Sequence, residues 1–170
     1  MLEISKNNDS ISGKINYFVY EVWEDNYKAD RFVKTYLFPK SISEKLYKYI
    51  SNSEIRKIPS DKYIKAWQQG FDGITHIYEL KEKNAYSFKS FWTPKIQKGI
   101  KEAEFIIEFN KTVNELGELE KYKNDFDEKI PFLSYKYPGS LFVVSKILTK
   151  KGLRKYLRKR KKEKRNKNKI

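Results

Sequence analysis

The sequence predicts an α+β fold: a twisted antiparallel sheet with aromatic-rich hairpins, covered by one long helix, with a basic C-terminal extension. Runs of β-branched and aromatic residues at 15–23, 32–38 and 74–92 have the composition and alternation of strands. Over 100–116 the apolar residues recur at helical spacing instead. The order of strands, then helices, then strands is that of an antiparallel sheet packed on its helices.

Residues 15–23 (Ile-Asn-Tyr-Phe-Val-Tyr-Glu-Val-Trp) read as a strand with both faces largely covered. The polar stretch 24–31 turns the chain, and 32–38 forms a second strand, ended by Pro39, that pairs with the first. Ser41-Ile-Ser-Glu44 has the form of a capping box. Ile42, Leu46, Tyr49 and Ile50 follow at i, i+4, i+7 and i+8, which predicts a short amphipathic helix.

Gly70-Phe-Asp-Gly73 marks a turn, after which Ile74, His76, Tyr78 and Leu80 alternate with Thr75, Ile77, Glu79 and Lys81. Lys83-Asn84-Ala85 supplies a second turn, and Tyr86-Ser-Phe-Lys-Ser-Phe-Trp92 alternates again. An antiparallel hairpin is expected, with Tyr86, Phe88 and Trp92 as the row that the fold buries, and Thr93-Pro94 stops it. In the long helix Ala103, Ile106, Ile107 and Val113 form the packing stripe, flanked by Phe109 and Leu116. Gly117 interrupts it, Leu119, Tyr122 and Phe126 predict a second short helix, and Pro131 ends that one. Residues 132–135 and 141–144, separated by Tyr137-Pro-Gly139, form a final hairpin.

These elements make one domain over 12–148, with a flexible N-terminus at 1–11 and a polybasic tail at 149–170 that is disordered or a frayed helix. A body of that length buries a core without staples. Cysteine is absent, which excludes disulfides, thiolate ligands and cysteine nucleophiles and fits a reducing, cytoplasmic setting. The first nine residues contain no apolar run, so neither a signal peptide nor a membrane span is expected there.

Gly70-Phe-Asp-Gly-Ile-Thr-His-Ile-Tyr-Glu79, followed by Tyr86-Ser-Phe-Lys-Ser-Phe-Trp-Thr-Pro94, resembles a core pattern in a loosely defined, uncharacterised family of small bacterial proteins. The resemblance implies no activity, and the basic tail lies outside it.

Each motif that carries chemistry has a plainer structural meaning. Asp72, Glu79 and Lys81 take the form Asp, six residues, Glu-x-Lys, which looks like a metal-dependent nuclease core in which two carboxylates hold Mg²⁺ and the lysine positions water. Glu79 and Lys81 share a strand face, but seven extended residues separate Asp72 from Glu79 by more than about 20 Å unless the turn folds back. The plainer meaning is a turn aspartate and an exposed ion pair. His76, the sole histidine, has no Cys or Gly-x-Ser-x-Gly nucleophile to serve and reads as a partly buried structural residue. The seven glycines form neither a dinucleotide fingerprint nor a P-loop, so no nucleotide cofactor is expected, and no metal. The acids of 102–128 read as a solvated helix face. Tyr86, Phe88 and Trp92 would stack on bases or sugars only if their sheet face were open.

The tail carries the strongest pointer to a partner. Residues 150–170 hold thirteen Lys/Arg against one acid, Glu163, a net of +12 that leaves +3 for residues 1–149. A near-neutral body with a polycationic end predicts a non-enzymatic binding or accessory protein whose tail contacts a polyanion. Arg154, Lys155, Arg158, Lys159, Arg160, Lys161, Lys162, Lys164 and Arg165 are the expected contacts, with nucleic acid favoured. An anionic membrane surface is second, since Leu153, Tyr156 and Leu157 could dip into it. The third possibility is an internal one, the tail lying across the acids of 102–128.

Overall fold

The computed structural model describes residues 1–22, 30–82, 84–140 and 142–167, with backbone alone at 159–160 and 163–167. Helices (40%) and antiparallel strands (30%) place it in the α+β class that the sequence predicts. The chain divides into two compact units: Met1–Phe18 with Val33–Ile130, and Val19–Phe32 with Pro131–Ile170. Two of its boundaries fall inside continuous strands, where composition leaves no signal, and the third falls at Pro131. Of the predicted elements, Trp23 of the first strand, most of the 24–31 turn, Lys83 and Leu141 lie outside the described residues.

The first unit begins with a hairpin. Strand β1 (Leu2–Asn7) pairs antiparallel with β2 (Ser10–Glu21) from Leu2↔Ile15 to Asn7↔Ser10. The expectation of a flexible N-terminus at 1–11 is therefore corrected. Leu2 and Ile4 alternate with polar residues and pack on the core, and Asn8 closes the turn at φ 51°, a conformation its short polar side chain tolerates. At Gly13 a Cβ would lie 2.6 Å from Ile4 Cδ1 and 2.9 Å from Phe38 Cδ2, so only glycine lets the two side chains meet over the strand. Strand β3 (Arg31–Leu37) pairs with β2, and beyond its end the Phe38 amide donates to the Gly13 carbonyl at 2.8 Å.

Helix α1 (Lys40–Asn52) starts at Pro39, before the proposed capping box, and has no side-chain cap. Ser43 is buried and its hydroxyl donates back to the Pro39 carbonyl at 3.1 Å, while Glu44 pairs with Lys40. The box motif is present but unused, because Pro39 at the N-cap has already set the helical start two residues earlier. Strands β4 (Thr75–Glu82) and β5 (Ala85–Trp92) form a separate antiparallel hairpin. Helix α2 (Lys101–Leu116) ends at Gly117, and Glu118, at φ 49°, leads into α3 (Leu119–Lys129).

Leu46, Ile55, Phe91, Ala103 and Ile106 have no exposed surface and anchor the core, with Ile15, Phe38, Ile42, Trp67 and Phe109 around them. Each large apolar side chain buried there contributes about 1.5–3 kcal/mol by removal from water. The stripe predicted for the long helix is correct at Ala103, Ile106, Phe109 and Val113, whereas Ile107 is exposed.

In the second unit Tyr20 and Glu21 of β2 pair with Lys136 and Tyr135 of β6 (Ser134–Lys136). Strand β6 pairs in turn with β7 (Val144–Ser145), a shorter version of the predicted final hairpin. The tail, read as disordered or a frayed helix, is helical from Lys150 to Lys167, here α4. Lys and Arg are good helix formers, and proline is absent from the stretch.

Candidate functional site

Helix α4 is an 18-residue element about 27 Å long. The Thr149 side chain accepts the Gly152 amide at 3.1 Å, which satisfies one free donor at the helix start. Tyr156, the only aromatic in the tail, is half-buried against its own unit: its hydroxyl accepts the Leu133 amide at 3.2 Å and donates to the Glu21 carboxylate at 3.3 Å.

The side chains of Lys150, Lys151, Arg154, Lys155, Arg158, Lys161 and Lys162 are all exposed. At about 100° per residue these seven positions fall within an arc of about 140°, with Gly152, Leu153, Tyr156 and Leu157, and the positions of Lys159, Arg160 and Lys164, on the rest of the circumference. Among the described residues of this unit none of the seven forms an ion pair. The side chains of Lys159, Arg160, Lys164 and Arg165, also expected as contacts, lie outside the described residues. Of the nine acids of 102–128, four have ion-pair partners among the described residues of the first unit: Asp125 with Lys34 and Lys129, Asp127 with Lys123, Glu108 with Lys111, and Glu118 with Lys121.

Beside α4 in the sequence stands a feature that sequence reasoning missed. Phe142 (74% exposed), Val143 (51%), Val144 (40%), Ile147 (100%) and Leu148 (41%) all face water. The reading of 141–144 as a hairpin strand supplied no hint of it, because a β-branched run looks the same whether it is covered or bare.

The β4–β5 hairpin also departs from expectation. His76, Tyr78 and Leu80 turn inward as predicted. Across from them stand Phe91, Lys89 and Ser87, so Tyr86 (63% exposed) and Phe88 (52%) turn outward and Phe91 is the buried aromatic. The expected burial of the Tyr86, Phe88 and Trp92 row is thus corrected. Trp92 alone is covered, by a loop whose Gly70 has no room for a side chain: a Cβ there would lie 2.6 Å from the indole. On the inner side Lys89 is 7% exposed, and its ammonium donates to the Arg56 carbonyl at 2.6 Å and to the Ile58 carbonyl. Burial lowers its pKa.

The edge of β5 is closed by buried Asp61, which accepts the Trp92 amide at 2.6 Å, and by Ser60, which accepts the Ser90 amide at 3.2 Å. Gln97 finishes this girdle, accepting the Gln68 amide and donating to the Gln68 carbonyl, both at 2.9 Å.

The nuclease triad is not drawn together around a common centre by any contact. Glu79 and Lys81 are exposed on the outer face opposite Phe88 and Tyr86. Asp72 is exposed in the loop ahead of β4. Among the described residues no three His, Cys, Asp or Glu side chains are grouped to hold a metal ion. His76 is half-buried, with its Nδ1 accepting from the Asn110 amide at 3.3 Å; burial, and then the charge of Lys95, lower its pKa. It has the setting of a structural histidine.

No family model, curated protein or solved structure matches this chain.

Proposed function

We propose that this is a non-enzymatic binding or accessory protein whose helix α4 grips a polyanion by its phosphate groups. The observation that supports the reading is the arc of seven exposed cations on one side of a helix held by Tyr156. Cations on one face of a rigid rod meet a phosphate array together, whereas a random tail would have to order itself first. On charge alone nucleic acid is the leading partner. Lys and Arg are mixed, one acid interrupts them, and the contacts of Arg154, Lys155, Arg158, Lys161 and Lys162 would be indifferent to base sequence.

The test is the salt dependence of binding to a DNA duplex or a homopolymeric RNA. If all seven described cations meet phosphates of a duplex, log K falls against log salt with a slope of about −6. Replacing Arg154, Arg158 and Lys161 by Gln should make that slope shallower by nearly 3 and weaken binding at low salt. Affinity that ignores both salt and these substitutions overturns the reading.

A further inference from the structure

Charge is not all that the second unit presents. Over 142–157 the described exposed side chains include seven large apolar ones: Phe142, Val143, Val144, Ile147, Leu148, Leu153 and Leu157. Nucleic acid contacts made through phosphates leave such side chains in water, so the phosphate reading explains α4 and leaves its neighbour unexplained. A second copy of the chain is a poor cover, because it would bring another tail of net +12 against the first. The occupant must therefore be both anionic and apolar.

Resting on the polyanion reading above, we infer that the partner of α4 is an anionic lipid surface, into which the 142–148 segment and the Leu153/Leu157 ridge insert. The helical order supports this. Among the positions whose side chains are described, the order round α4 from anchored Tyr156 is Leu153 and Leu157, then Lys150, Lys161 and Arg154, while the positions of Arg160 and Lys164 fall on the leucine side. The apolar ridge thus borders the cationic arc, as in interfacial helices whose basic side chains meet headgroups while their apolar residues reach the acyl boundary. Ile147, fully exposed, and Phe142 stand in the segment that leads directly into this helix. Among the described residues no helix is long and apolar enough to cross a membrane, which makes the contact peripheral.

The chain has no cysteine, so Ile147→Cys creates a unique site for an environment-sensitive fluorophore in the full chain. Vesicles of phosphatidylcholine with phosphatidylserine should shift its emission to the blue, and phosphatidylcholine alone or homopolymeric RNA should not. The double variant Phe142→Ser/Ile147→Ser should lose at least about tenfold in affinity for the anionic vesicles while keeping its RNA affinity. Both side chains are exposed, so folding is not at stake. A double variant that binds vesicles as the native chain does, or a probe that shifts with RNA and not with lipid, overturns the lipid inference. If instead Gln at 154, 158 and 161 changes neither vesicle nor RNA binding, the phosphate reading falls with it.

Discussion

The Tyr156 hydroxyl donates to the Glu21 carboxylate at 3.3 Å, and Glu21 is only 2% exposed. The last described turns of a strongly cationic helix are therefore oriented by a buried acid near the end of β2. Beyond Tyr156 every described side chain of α4 is exposed, so this contact settles which face of the helix looks outward.

Removing the hydroxyl alone tests that role. Tyr156→Phe keeps the ring but loses the bonds to Glu21 and to the Leu133 amide, and takes from that amide its side-chain acceptor. The helix should open more readily by about 1–3 kcal/mol. Trypsin should then cleave after Arg154 and Arg158 several-fold faster, while the urea midpoint of the first unit stays put. Cleavage at the native rate would mean that the hydroxyl does not hold the helix.

Lys89 and Phe88 reverse the usual expectation for a charged and an aromatic neighbour. Lys89→Met takes away the donor for two carbonyls beneath the hairpin, and should cost about 2 kcal/mol or more. Phe88→Ser changes an outward-facing side chain and should stay within about 0.5–1 kcal/mol of the native protein. Urea unfolding of the two variants checks the order. A larger loss for Phe88→Ser would mean that the outer face packs on something.

The same pair shows what could be read in the sequence. Strand positions, the hairpin and the inward row of β4 followed from alternation and turn residues. The face of β5 did not, because it depends on a one-residue choice. A three-residue turn at 83–85 sets Phe88 opposite Leu80 and Trp92 opposite His76. The observed pairing Glu82↔Ala85 shortens the turn by one residue and sets Ser87 and Phe91 there instead. A slip of one residue moves every side chain to the other face. Aromatic content favours the wrong register; two carbonyls from a distant loop, Arg56 and Ile58, favour the right one by receiving Lys89. For α4 the cationic run was plain to read. The bare apolar segment ahead of it was not, since exposure is a property of what fails to pack.

Asp125 predicts the acid behaviour of the first unit. Its carboxylate accepts hydrogen bonds from Lys129, from the Tyr36 hydroxyl at 2.5 Å and from Lys34 at 2.9 Å, and these hold it well below the usual carboxylate range. A carboxyl depressed in the folded state contributes stability above the unfolded value, and loses it as pH falls through the lower folded value. The native urea midpoint should therefore drop below pH 4, and the acid limb of Asp125→Asn should be flatter. Added salt should shrink the difference, since the group is partly exposed. Equal acid limbs for both proteins would show that the cluster contributes nothing.

His76 offers the sharpest test of the inner hairpin face, because it is the only histidine and its NMR signal needs no assignment. Asn110 Oδ1 receives the Tyr78 hydroxyl at 2.7 Å, and in this arrangement its amino group faces His76 Nδ1. That nitrogen must accept, so the neutral ring carries its proton on Nε2. Burial beside Phe91 and the charge of Lys95 also oppose protonation, and the folded midpoint should lie below 6.5. The unfolded chain then binds the proton more tightly, so stability is full above pH 6.5 and declines as pH falls towards the folded value. Tyr78→Phe frees the amide to present its oxygen to the ring, and should raise the midpoint; Asn110→Asp should raise it further. A midpoint unmoved by Tyr78→Phe would show that the amide does not set the protonation of His76.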